Sequence, residues 1–155
     1  MVLGDPFGVG SGVFGRASVK IAETCLYVKN VDRTARFYRD VMGLEPISYL
    51  KDRLVFFRLG DGVLLCFNPK HARSYKPGGI PKHGAGGIQH VAFEVPRKNY
   101  TSTKRRLKAK EVKILHELTW DSGKRSFYFA DPDKHLLEII EEGHWKGKKR
   151  MTLPF

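Results

Sequence analysis

The feature that most constrains this chain is that it states one pattern twice. Ile21-Ala-Glu-Thr-Cys-Leu-Tyr-Val28 aligns without gaps on Ile88-Gln-His-Val-Ala-Phe-Glu-Val95. Both segments have the β-branched and aromatic content of strands. A helix is expected after each. The first has Asn30 as N-cap, Val31, Ala35, Tyr38 and Val41 on one face, and Gly43 just past its end. The second, over about 97–110, has a thinner apolar face of Tyr100, Thr103 and Leu107. Three short strands follow each helix, over about 44–51, 53–59 and 62–68 in the first half and about 112–118, 125–130 and 135–141 in the second. Gly60-Asp61-Gly62 and Asp131-Pro132-Asp133 supply the last turn of each set. The chain therefore reads as α+β, with paired βαβββ modules over about 20–68 and 88–142 and mixed, mostly antiparallel sheets. A Pro/Gly-rich linker, 69–87, joins them. Residues 1–19 read as a flexible or draped extension, and 143–155 as a basic tail.

Composition narrows the class. A chain of 155 residues with 41% hydrophobic and 28% charged residues suits one globular domain. No stretch approaches the ~20 apolar residues of a membrane span. Two cysteines, Cys25 and Cys66, are too few for a disulfide framework. The first residues lack the basic start and unbroken apolar run of a secretory signal, so a cytoplasmic location is expected. Gly10, Gly12 and Gly15 spell G-x-G-x-x-G, but without a strand before them the match has no phosphate-binding mechanism.

The net charge of +12 is localised. Arg97 to Lys110 carries seven basic residues and no acid, and the tail adds Lys146, Lys148, Lys149 and Arg150. Such a surface serves as a solvated face or binds a polyanion. Nucleic acid is the weaker partner, because no zinc finger, RNA-binding aromatic signature or helix-turn-helix accompanies the charge.

Strand alternation gives the candidate site. It sets Glu23, Cys25 and Tyr27 on one face, His90, Ala92 and Glu94 on the equivalent face of the second module, and Leu136, Glu138 and Ile140 together. Glu138 thus stands among apolar neighbours and needs a cation, a hydrogen-bond partner or a raised pKa. One imidazole and two carboxylates make a cation site with room for water or substrate. The same three also read as solvated or hydrogen-bonded strand residues.

Cys25-Leu-Tyr-Val-Lys-Asn-Val-Asp-Arg-Thr-Ala-Arg-Phe-Tyr38, Gly43-Leu44, His90-Val-Ala-Phe-Glu-Val95 and Ser126-Phe-Tyr-Phe-Ala-Asp-Pro-Asp-Lys-His-Leu-Leu-Glu138 resemble the vicinal oxygen chelate superfamily over about residues 20–142. That superfamily includes glyoxalase I, extradiol dioxygenases, methylmalonyl-CoA epimerase, and fosfomycin- and bleomycin-resistance proteins. The resemblance implies cupped modules around a divalent metal held by first and last strands. Its ligand positions fall on Glu23, His90 and Glu138, while the fourth falls on Leu65, which cannot bind a metal. Fe, Mn, Ni, Co, Mg or Zn fits such a hard set. The resemblance also implies a homodimer whose sites draw on both chains. Lys134 and Glu111 stand where the family carries turn glycines.

Around the site, His83 in the linker is a candidate fourth ligand or general base. Tyr27, Phe56, Phe67, Trp120 and Tyr128 are candidates to line the cup, and Arg125 to grip an anionic group of a small-molecule substrate. His144-Trp145 is placed to cover the mouth, and Cys25 reads as a small buried hydrophobe. The leading function is a metal-dependent lyase or isomerase of glyoxalase type, stabilising an enolate or oxyanion, with Glu23 and Glu138 as catalytic carboxylates. Fe(II) extradiol-type dioxygenation is the alternative within enzymes. A metal-free, ligand-sequestering protein of the bleomycin-resistance type is the alternative outside them.

Overall fold

The structure is a computed structural model that describes residues 19–74, 79–149, 151 and 153–154. All but the last residue of the expected N-terminal extension lies outside these residues. The first module runs β1 (Glu23–Tyr27), α1 (Val31–Arg36), β2 (Pro46–Leu50), β3 (Leu54–Leu59) and β4 (Gly62–Phe67). The second runs β5 (His90–Val95), α3 (Tyr100–Ala109), β6 (His116–Thr119), β7 (Arg125–Ala130) and β8 (Leu136–Glu141), and a short α2 (Pro69–Ala72) opens the linker. The doubled βαβββ order is therefore present, as two four-stranded sheets with strand orders β1-β4-β3-β2 and β5-β8-β7-β6. In each, the first strand pairs parallel to the last and the other pairings are antiparallel.

Local chemistry explains most boundaries. The Asn30 side chain accepts from the Arg33 N–H at 2.8 Å and starts α1. After two turns the helix widens into a π-helical segment, Phe37–Val41, and the chain then leaves through Gly43 at φ 72°. Asn68 caps α2 in the same way, accepting from Lys70 N–H. The strand expected from 112 begins only at His116, because Val112 and Ile114 pack against the core instead.

One core spans both modules. Leu26, Phe57 and Leu64 of the first sheet join Phe93, Phe127 and Ile139 of the second, with Tyr38, Tyr100 and Leu107 between them. These strand residues have the opposite parity to Glu23, His90 and Glu138. Each sheet therefore turns its helix-covered face inward and leaves the face bearing the candidate donors outside.

A buried polar latch fixes the two modules. The Tyr38 hydroxyl donates to Asp131 Oδ2 at 3.0 Å, and the Tyr27 N–H donates to Gln89 Oε1 at 2.9 Å. His135 Nδ1 accepts from the Gln89 N–H at 3.1 Å, while its Nε2 lies 2.8 Å from the Tyr27 carbonyl and donates to it. One accepting and one donating nitrogen define a neutral imidazole.

Glu111 and Lys134, expected to strain turns that suit glycine, have φ of 63° and 69°, and Asp52 joins them at 61°. A left-handed non-glycine residue costs on the order of 1 kcal/mol. Glu111→Gly and Lys134→Gly should each raise unfolding stability by about 0.5–1 kcal/mol. Urea titration of each variant checks this, and a loss of stability would show that the side chains compensate for their backbone.

Candidate functional site

The parallel register of β5 and β8 sets His90 beside Leu136 and Ala92 beside Glu138 on the outer face of the second sheet. His90 Nδ1 lies 2.9 Å from the Leu136 carbonyl oxygen. A carbonyl only accepts, so this nitrogen carries the proton. In the neutral ring the Nε2 lone pair is then aimed at Glu138 Oε2, 3.3 Å away. The His90 side chain is half exposed, whereas that of Glu138 is 6% exposed. Glu138 Oε1 is buried with no hydrogen-bond partner.

An unpartnered carboxylate oxygen in such a place is costly, and in the neutral ring so is a lone pair facing a carboxylate. A divalent cation on Nε2 and Glu138 would relieve both. The Leu136 carbonyl already supplies the outer hydrogen bond that a metal-bound imidazole uses to fix its tautomer. The residues present therefore fit a metal as two donors.

Neighbouring strands extend the row. Tyr128 on β7 lies opposite Glu138, and His116 on β6 lies opposite Tyr128. The Tyr128 ring stacks 6.2 Å from His90 and sits 6.1 Å from His116. Burial, and then the Glu138 charge, hold the Tyr128 phenol above its usual value, so it remains a proton donor. At one end, Trp120 Nε1–H donates to the buried Ser126 hydroxyl at 2.8 Å and the indole packs against His144. His144 is itself buried and hydrogen-bonded to Ser122, whereas Trp145 is largely exposed.

The outer face of the first sheet holds a different group. Glu23, Cys25 and Tyr27 lie opposite Val63, Leu65 and Phe67, and Phe56 lies opposite Leu65. The Tyr27 hydroxyl is hydrogen-bonded with His83 Nδ1 at 2.7 Å, and the His83 ring meets Phe67 edge-on at 4.7 Å. The linker thus folds back over this end of the sheet. Burial, and then the Glu23 charge, push the Cys25 thiol up, so it is no ready thiolate. Leu65 occupies the place equivalent to Glu138 and is buried.

The structure brings His90, Glu138 and Tyr128 together, and it separately brings together Tyr27, Phe56, Phe67 and His83. Glu23 is exposed on the other sheet. Among the described residues of one chain, no group of three His, Cys, Asp or Glu is placed to hold a metal ion. His83 likewise belongs to the Tyr27 group and not to the His90–Glu138 pair.

Arg125 corrects the sequence reading. It projects to the core side of β7, where its Nε and Nη2 bind Glu141 Oε1 at 3.0 and 2.6 Å. Its guanidinium also lies 4.4 Å over the Tyr100 ring. Arg125 thereby holds the Glu141 carboxyl below the usual range, and two nitrogens of its half-exposed guanidinium are already taken by a buried carboxylate. The sequence reading missed His116, whose signal is its register opposite Tyr128.

With the geometry in hand, comparison with known proteins gives the class. The sequence profile of the Glyoxalase/Bleomycin resistance protein/Dioxygenase superfamily matches residues 20–139, and the chain belongs to that superfamily. A metallothiol transferase FosB of Staphylococcus haemolyticus is 31% identical over 114 residues, which is 72% of this chain and 76% of that protein. The mitochondrial methylmalonyl-CoA epimerase of Mus musculus is 27% identical over 103 residues, 63% of this chain and 57% of that one. A crystal structure of lactoylglutathione lyase from Agrobacterium tumefaciens matches with a TM-score of 0.79 at 35% identity, covering 84% of this chain and 98% of that one. Transferase, epimerase and lyase are three different reactions, so the likeness defines the superfamily and not one chemistry. No described helix is long and apolar enough to cross a membrane.

If Glu138 is held for a ligand and not for the fold, removing its charge relieves the metal-free protein. Glu138→Leu should stabilise chelator-treated protein by about 1 kcal/mol at neutral pH. Denaturant titration reads this directly, and a loss of stability would show that His90 alone satisfies the carboxylate.

Proposed function

We propose that this chain is a divalent-metal-dependent enzyme acting on a small substrate with two neighbouring oxygens, and that a second copy completes its site. The buried, unpartnered Glu138 Oε1 beside the tethered His90 carries the reading. Two donors from one chain leave a third to be found. Glu23 lies on β1 and His90 on β5, and each of these strands ends its own sheet. The outward N–H and C=O of Tyr27 are taken by Gln89 and His135, so the part of β1 left as a template for another chain is its start, at Glu23. Large apolar residues, Ile21 and Ile88, stand exposed just before both edges. A two-fold pairing of β1 with the β5 of a second copy closes both edges and sets Glu23 against the opposite copy's His90 and Glu138.

The division of labour follows from burial. Glu138 is fixed and desolvated, which suits a ligand. Glu23 is exposed and free to turn, which suits the group that takes a proton from the substrate. The Tyr128 hydroxyl, kept protonated beside Glu138, is placed to donate to a substrate oxygen. The Tyr27–His83 pair closes the far end of the Glu23 sheet and orients the remainder of the substrate. A divalent ion, when bound, supplies Lewis-acid stabilisation of negative charge on the vicinal oxygens. Fe, Mn, Ni, Co, Mg and Zn all suit one imidazole with two carboxylates. Glyoxalase-like lyase or isomerase chemistry is preferred here to Fe(II) dioxygenation because an epimerase and a lyase, beside a transferase, are among the relatives named above and no dioxygenase is. Leu65, in the place of a fourth donor, favours a second reading, a metal-free protein that sequesters its ligand between two copies.

Metal content decides between these. The protein should hold about one divalent ion per chain, and His90→Ala, Glu138→Gln and Glu23→Ala should each weaken it by ten- to a hundredfold. Co-refolding Glu23→Ala with His90→Ala should restore about a quarter of the wild-type metal, because half of the dimers are mixed and each has one intact site. No recovery would place all ligands in one chain, and no metal in the wild type would leave the sequestering reading.

A further inference from the structure

A small cavity of about 210 Å³ lies under the linker, at the Phe67 end of the first sheet, away from Glu23. Three elements meet there. Arg53 comes from the turn between β2 and β3, His71 from α2, and His83 from the returning linker. Backbone groups pin each of them. The Asn68 N–H donates to the Arg53 carbonyl at 2.8 Å, and the His83 N–H donates to the Ala72 carbonyl at 3.2 Å. The Ser74 hydroxyl donates to the His71 carbonyl at 2.7 Å. Phe67, Ile80 and Pro81 supply apolar wall. Pockets that enclose a whole organic molecule run to roughly 300–1,000 Å³, so this one suits an ion or a single end group.

The described walls carry an arginine and two histidines and no acid. Their surroundings have the same sign. From Gly62 to Phe93 the chain has no Asp or Glu, while Lys70, Arg73, Lys76 and Lys82 add cations. Asp52 precedes Arg53 but is not on the wall, and its charge bears on the Tyr49 phenol. Among the described residues, the Arg53 guanidinium and the His71 imidazole have no hydrogen-bond or ion-pair partner. His83 uses only Nδ1, which is hydrogen-bonded with the Tyr27 hydroxyl at 2.7 Å. An anion at Nε2 selects the tautomer with its proton there, in which Nδ1 accepts from that hydroxyl. Donors from three elements select shape as well as sign. A carboxylate is planar with two oxygens, whereas a phosphate presents at least three and a larger charge.

We propose that this cavity binds a phosphate group, with the Arg53 fork on two of its oxygens and the His71 and His83 rings donating to the rest. The site is contained in one chain and does not depend on the metal reading. Because the His83 ring meets Phe67 at 4.7 Å and bonds Tyr27, a phosphate held there also fixes one end of the outer face that carries Glu23.

The test is calorimetric titration of the full-length chain with inorganic phosphate at constant ionic strength, beside glycerol phosphate and acetate. Both phosphates should bind saturably at one per chain, with acetate weaker by about tenfold or more. The tighter of the two names the source, free ion or phosphorylated small molecule. Arg53→Gln should weaken phosphate by about ten- to a hundredfold, whereas Lys108→Gln, on α3, should leave it unchanged. The chain has six histidines; phosphate should move the imidazole magnetic-resonance signals of His71 and His83 and leave that of the buried His135 in place. Glu138→Gln should retain the binding, which separates this site from the metal face. Acetate binding as tightly as phosphate, an equal loss in Lys108→Gln, unmoved His71 and His83 signals, or loss of binding in Glu138→Gln would each overturn the proposal.

Discussion

The parallel pairing of β5 with β8 sets the position of every candidate donor on the second sheet. One residue of slip in β8 would turn Glu138 inward among Phe93, Phe127 and Phe129 and bring Leu137 and Ile139 to the surface. The observed register places the Leu136 carbonyl where it tethers His90 and places Tyr128 across from Glu138. The first module uses the same pairing of β1 with β4, but Leu65 fills the position of Glu138. The repeat therefore yields two equivalent faces with unequal chemistry: one carries the buried carboxylate and imidazole, the other an exposed carboxylate and a tyrosine–histidine pair.

That asymmetry bears on assembly. A single chain turns its helices inward around one apolar core and turns both outer faces away from it, with an end strand on each sheet that no other described strand pairs. The latch around Tyr38, Asp131 and His135 holds this arrangement with directional hydrogen bonds between the modules, one buried and one part-buried. The modules are thereby fixed back to back, and the Glu23 and His90 faces cannot fold onto each other without breaking it. The proposed completion by a second copy rests on this constraint more than on any pattern in the sequence.

Much of the fold was legible before the structure because a doubled βαβββ order has few solutions, and strand alternation alone separates core from outer face. The same alternation explains what was misread. Arg125 and Tyr128 are three apart on one strand, so they cannot share a face. The guanidinium went to the core side, where Glu141 needed a counter-charge. His116 was missed because its role depends on which residue of β7 it pairs with, and four residues of strand carry too little pattern to fix that register. The Tyr27–His83 contact was equally out of reach, since a linker's path is set by tertiary packing and not by local propensity.

The measurement that bears most directly on the His90–Glu138 centre is pulsed electron paramagnetic resonance of the Mn(II)-loaded protein. One imidazole with two carboxylates predicts coupling to a single histidine nitrogen environment, present in the wild type and absent in His90→Ala. Coupling to two imidazoles would bring His83 or His116 into the ligand set. Absence of any nitrogen coupling, with manganese bound, would contradict the assignment of His90 as a ligand.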